Sequence, residues 1–146
     1  MEEPVYHGSC LCKGITFEIQ GEPEKVFICY CRDCAKNAGA PYQVCAKFRK
    51  SQVHVEAKSD ATEGTWIIQK TTSGSEKHKK FCIQCGCTLW TIPMHHGGDR
   101  FIVRAALLDS GSLEKLAPSA EFFASSKPSW VKSPDNVKAF ATMPGQ

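Results

Sequence analysis

Nine cysteines, eight of them gathered into three tight groups, constrain this chain more than any other feature. The first group is Cys10-Leu11-Cys12, directly after Gly8-Ser9. The second is Cys29-Tyr30-Cys31-Arg32-Asp33-Cys34. The third is Cys82-Ile83-Gln84-Cys85, followed by Gly86 and Cys87, while Cys45 stands apart. An odd number leaves one thiol outside any complete disulfide set. The first residues, MEEPVYHG, carry two acids and no apolar core, so a secretory signal is not expected. The expected compartment is cytoplasmic, where thiols stay reduced and close groups of them point to metal.

Cys-x-x-Cys followed by glycine is a metal knuckle. Its turn aims two sulfurs at one point, and the glycine lets the backbone fold beneath the ion. A Zn²⁺ held by four thiolates needs two such pairs. Cys10/Cys12 and Cys82/Cys85 can close one site across about 70 residues of chain and pin the first strand to the middle of a sheet. The middle group offers three sulfurs within six residues. Three protein ligands and one open position is the arrangement of catalytic zinc. Spacing leaves open whether Cys45 or a histidine supplies a fourth ligand there, and which pair meets which group. A thioredoxin-type redox pair is disfavoured, because the βαβ setting it expects is absent.

The rest of the chain bounds the fold. Its 146 residues are 42% hydrophobic and 23% charged, the make-up of one globular domain. No apolar run approaches the ~18 residues of a membrane span. Short alternating runs predict half-buried strands: Ile15, Phe17 and Ile19; Val53 and Val55; Phe101 and Val103. Further strands are expected over 24–29, 41–48, 64–71, 78–82, 87–92 and 120–124, with a short helix over 32–38 and a helical turn over 113–116. The reading is a mainly β single domain of short antiparallel strands. From Lys127 to Gln146 the chain carries three prolines. A domain is expected over 1–131 and a loosely packed arm over 132–146.

The formal charge is +3. Seven ligand thiolates and two dipositive ions would bring it to zero, which disfavours a nucleic-acid or membrane partner.

The segments GSCLCKGITFEI at 8–19, CYCRDCAKNAGAP at 29–41 and FCIQCGCTLW at 81–90 resemble the glutathione-dependent formaldehyde-activating enzyme family, which includes centromere protein V. VRAALLDSGSL at 103–113 and PSAEFFASSKPSW at 118–130 fit the same pattern, so the resemblance runs from about residue 7 to 131. It implies an Mss4-like zinc-binding fold and two Zn²⁺ per chain. It also implies a sorting of ligands: Cys10, Cys12, Cys82 and Cys85 at a structural site, and Cys29, Cys31 and Cys34 at a catalytic-type site. The family's activity joins formaldehyde to glutathione as S-(hydroxymethyl)glutathione, classed as a carbon–sulfur lyase reaction. The chain departs from the pattern at Ala106-Leu107-Leu108-Asp109, where a glycine-containing turn is usual, and at Glu121, where histidine is frequent. Cys45 and Cys87 match no family ligand.

Other residues have functional and structural readings. His95-His96 can line an open zinc but reads first as a polar loop, and His7 reads as a surface residue. Arg32 and Asp33 either orient a ligand or form a solvated helix start. Lys77-His78-Lys79-Lys80 can attract an anionic thiol such as glutathione, or guard a strand edge. Trp90 and Trp130 can wall a pocket, with core packing the simpler reading for Trp90. Two classes of function follow: a zinc enzyme acting on a small thiol adduct or aldehyde, or a non-catalytic zinc-stabilised binding module.

Overall fold

A computed structural model describes residues 2–58 and 62–144. The last two residues of the expected arm, and three residues in the loop before Thr62, lie outside that set. The chain is mainly β, 41% strand and 17% helix. Three strands form a small antiparallel sheet: β1 (Val5–Ser9), β2 (Ile15–Gln20) and β5 (Val53–Ala57), in the order β1-β2-β5. The large sheet contains β3 (Lys25–Cys29), β4 (Gln43–Arg49), β6 (Glu63–Ile68), β7 (Lys77–Cys82), β8 (Thr88–Pro93), β9 (Arg100–Arg104), β10 (Ala120–Phe122) and β11 (Lys138–Ala139). Its order is β11-β10-β3-β4-β9-β8-β7-β6. Two helices, α1 (Arg32–Ala38) and α2 (Ser112–Lys115), interrupt the strands.

The alternating runs become strands for the expected reason. Ile15, Phe17 and Ile19 turn inward from β2 while Thr16, Glu18 and Gln20 turn out. On β4, Val44, Ala46 and Phe48 face these residues, joined by Phe101 and Val103 of β9. Trp90 lies at the centre of this core at 1% exposure. It meets Phe17 edge-on at 5.3 Å and stacks on Phe101 at 5.4 Å. Burying a side chain of this kind contributes about 3 kcal/mol, so core packing accounts for Trp90. Trp130, by contrast, is 72% exposed.

The sequence pattern missed β1 and β11. β1 has only Tyr6 and Gly8 on its inward side. Gly8 is required by closeness: a Cβ there would lie 2.5 Å from the Phe17 ring. The strand expected over 120–124 ends at Phe122 because Phe123 adopts φ 56°, a left-handed conformation that turns the chain. Most pairings are antiparallel, but β10 runs parallel to both β3 and β11.

The opposite face of the large sheet carries a second apolar cluster: Phe27, Cys29, Cys45, Ala120 and Phe122. The C-terminal segment folds onto it. Phe140 N–H donates to Glu121 O at 2.8 Å, Phe123 N–H donates to Thr142 O at 3.0 Å, and Phe140 and Met143 pack against the cluster. The Phe122 and Phe140 rings lie 5.7 Å apart.

Candidate metal centres

The chain builds its four-sulfur group from two turns. β1 ends into a turn closed by Cys10 N–H to Ile15 O at 3.0 Å and Lys13 N–H to Cys10 O at 3.1 Å. The third group follows β7, where Gly86 N–H donates to Cys82 O at 2.8 Å. Gly86 has φ 77°, a backbone setting that glycine alone adopts without strain. The four sulfurs of Cys10, Cys12, Cys82 and Cys85 all lie within 4.8 Å of one another. Cys12 Sγ stands 3.6 Å from Cys10 Sγ and 3.6 Å from Cys82 Sγ.

That spacing identifies what the group fits. A disulfide would need about 2.05 Å. Four sulfurs held about 2.3 Å from a tetrahedral ion stand about 3.8 Å apart. Backbone donors also point at the sulfurs: Gly14 N–H to Cys12 Sγ and Ile15 N–H to Cys10 Sγ, each at 3.4 Å. Such donors stabilise thiolate over thiol. Burial opposes ionisation of Cys85, but the backbone N–H groups of Cys87 and Cys12 together with the Cys82 and Cys12 thiols outweigh it and bring the thiol down to about 6.

The three-sulfur group is local. Cys29 ends β3, Cys31 caps α1, and Cys34 lies in the first turn of α1. Their sulfurs again fall within 4.8 Å of one another. Cys31 Sγ accepts from Cys34 N–H at 3.4 Å, the role a serine or aspartate cap would fill. Hydrogen bonds from the Cys29 and Cys34 thiols hold Cys31 down to about 2, and the Lys77 charge adds to this. The same hydrogen bonds push Cys29 up. One thiolate shared among three sulfurs is a donor set ready for a soft cation.

Around this group the structure sorts the remaining candidates. Cys45 is 1% exposed, shares the cluster with Cys29, and raises the Cys34 thiol, yet it lies outside the mutually close set of three. Lys77 brings the lysine run into the field of Cys31. Lys79 instead lies over the Phe81 ring, and Lys80 pairs with Glu63 at 3.7 Å. Arg32 and Asp33 are exposed at the helix start. The His95 and His96 rings lie 3.9 Å apart, tilted by 41°, in a short turn and join neither sulfur group. His7 is exposed beside Glu18. Cys87 packs against the main core, and burial pushes its thiol up.

Three features near the second group escaped the sequence. Glu121 is fully buried on the face of β10 opposite Phe122, so it turns away from the sulfurs. Tyr30 O–H donates to it at 2.5 Å, and Lys127 Nζ lies 3.7 Å from its other oxygen. Phe140 and Met143 pack beside Cys31 and Cys34 on the second cluster. Gln43, directly across from Cys29 in the β3–β4 register, is 6% exposed. Its Oε1 has no hydrogen-bond partner among the described residues. Apolar tails and an amide side chain in a strand give no sequence signal of this kind; only the fold brings them to the sulfurs.

A mainly β domain with one group of four convergent sulfurs and one of three is a cysteine-rich protein suited to binding metal ions. The profile of the glutathione-dependent formaldehyde-activating enzyme family matches residues 5–126, and the chain belongs to that family. A crystal structure of a Rhodobacter sphaeroides protein is similar in fold, with a TM-score of 0.54 at 19% identity. The match covers 76% of this chain and 94% of that one. No curated protein matches the chain significantly. No helix among the described residues is long and apolar enough to cross a membrane.

Proposed function

We propose that the protein is a zinc-dependent enzyme of the carbon–sulfur lyase type, joining a small thiol, such as glutathione, to an aldehyde and reversing that addition. Two Zn²⁺ ions serve it. Cys10, Cys12, Cys82 and Cys85 hold one as a structural tie, and Cys29, Cys31 and Cys34 hold the other at the reacting site. The observation that carries this reading is the contrast in donor number: four mutually close sulfurs in one group and three in the other. Zinc bound by three thiolates would supply Lewis acidity, holding a thiolate and polarising a carbonyl oxygen. Lys77, whose charge reaches Cys31, favours an anionic thiol. Nine free thiols suit a cytoplasmic protein.

The test is the exchange between formaldehyde, glutathione and their adduct, followed by nuclear magnetic resonance. Faster exchange with the zinc protein than with its Cys31→Ser variant is expected. Identical rates, both at the uncatalysed background, would remove the enzyme reading. One observation favours the alternative of a zinc-stabilised binding module: Cys45 beside Cys34 offers a fourth sulfur. In that case Cys45→Ser would abolish the second site, and no added thiol would alter the visible spectrum of cobalt-substituted protein.

A further inference from the structure

Two buried side-chain oxygens lack a hydrogen bond among the described residues: Glu121 Oε1, which faces the Lys127 charge, and Gln43 Oε1. The Gln43 side chain lies on the face of β4 that also carries Cys45, across from Cys29 and beneath α1. Gln43 Nε2 donates to Cys45 Sγ at 3.5 Å, which fixes the amide so that its carbonyl oxygen is the free end. That oxygen is buried and without a hydrogen-bond partner among the described residues. An unsatisfied buried carbonyl is unfavourable, and an apolar side chain would fit a position beside Cys29 and Cys45 without that penalty. Cys29 and Cys45, both buried, neighbour that position, and among buried groups a single acceptor has a strong directional effect. Cys31 and Cys34, at the start of α1, are the partly exposed members of the three-sulfur group.

We propose that Gln43 Oε1 is the acceptor for the hydroxyl of the thiol–aldehyde adduct, and that Gln43 makes the site select hydroxyalkyl thioethers over free aldehydes and plain thioethers. The inference rests on the function proposed above and adds a residue to it. Addition forms one carbon–sulfur bond. The carbonyl π pair passes to oxygen, and the thiol proton ends on that oxygen as a hydroxyl. Nothing else is consumed. A free aldehyde offers Gln43 only lone pairs, which its carbonyl repels. The adduct offers an O–H donor, which it accepts. The interaction therefore appears only as the bond forms, the condition under which binding favours reaction rather than the ground state. Unlike the sulfurs, Gln43 does this without touching the metal.

The test uses zinc-loaded full-length protein and two probes: S-(hydroxymethyl)glutathione, formed in place from glutathione and formaldehyde, and S-methylglutathione. Calorimetry on wild type should show about tenfold tighter binding of the hydroxymethyl form, the worth of one hydrogen bond to a buried acceptor. In Gln43→Leu, and in Gln43→Met of the same length, that preference should vanish. Metal content should be unchanged and the melting temperature should rise by a few degrees, because the orphaned carbonyl is gone. Exchange activity should fall through kcat, with KM for glutathione unchanged. Equal binding of the two probes by wild type, or an unaltered preference in both variants, would overturn the role of Gln43 and leave the enzyme reading standing. Failure of S-(hydroxymethyl)glutathione to bind wild type would overturn both.

Discussion

The two sulfur groups use the same ligand chemistry for opposite structural ends. The four-sulfur group joins residues 70 positions apart: Cys12 on the turn after β1 meets Cys82 at the end of β7. It ties the small sheet to the far half of the large one. The three-sulfur group spans one strand end and one helical turn, and its neighbours hold it without help. Tyr30, between Cys29 and Cys31, is anchored to Glu121 from the other side of the sheet. Phe140 and Met143 close over the flank. A long-range tie contributes to folding, because an ion bound there restrains segments that would otherwise be independent. A local group restrains little of the chain, so on the function proposed above an ion there can keep an open position.

The sharpest way to break this contrast is to remove one sulfur from each group. Cys10→Ser or Cys82→Ser should abolish cooperative folding. Structural zinc contributes about 10–16 kcal/mol in small domains, as much as the whole stability of a typical one. Soluble variants that melt like wild type would show that the four-sulfur tie is dispensable. Cys31→Ser or Cys34→Ser should instead give folded protein that keeps one zinc, loses the other and is inactive. Elemental analysis should return two zinc ions per chain for wild type and one for these variants. Circular dichroism should overlay those two. Collapse of both variants to unfolded chain would mean that the second group is structural as well.

A softer probe is metal removal. Chelator should strip the second site first, since three sulfurs would hold its ion against four at the other. Protein holding one zinc should retain its near-ultraviolet spectrum from Trp90, which lies in the core tied by the other group. Loss of that spectrum in step with the first zinc would reverse the assignment.

These contrasts were unevenly legible in the sequence. Cysteine spacing marked both groups, because a knuckle is a local motif whose geometry follows from a few residues. Alternation marked β2 and β9, whose buried sides are continuous, and β5, whose Val55 instead lies exposed. β1 was missed because its inward positions are Tyr6 and Gly8, and Gly8 is inward only because the Phe17 ring covers it. The packing of Phe140 was invisible for a different reason. Its partners, Glu121 and Phe122, lie on β10, and no local pattern announces a parallel pairing across a proline-rich loop. Glu121 stood out only as a departure from the family's usual histidine. Its burial under Tyr30 and Lys127 depends on both flanking segments being in place.

That buried carboxylate yields the smallest and most specific of the expected effects. Burial alone would raise the Glu121 carboxyl, but the Tyr30 and Ser133 hydroxyls and the Lys127 charge outweigh it and hold the group below its ordinary value. A depressed carboxyl stabilises the fold fully above its unfolded value of about 4.3, and that stabilisation fades as pH falls through the folded value. Glu121→Gln keeps an oxygen for Tyr30 but removes the charge facing Lys127. It should lower stability at pH 7 by about 1–3 kcal/mol. Urea unfolding of wild type and variant should differ at pH 7 and converge as pH drops below about 4, because protonated glutamate and glutamine then carry the same charge. Both zinc sites should stay filled at pH 7, since Glu121 turns away from the sulfurs. A difference that persists undiminished in acid would mean that the carboxylate acts through shape rather than charge. Loss of the second zinc alone would mean that the three-sulfur group relies on Tyr30 being held, and is less self-sufficient than its local geometry implies.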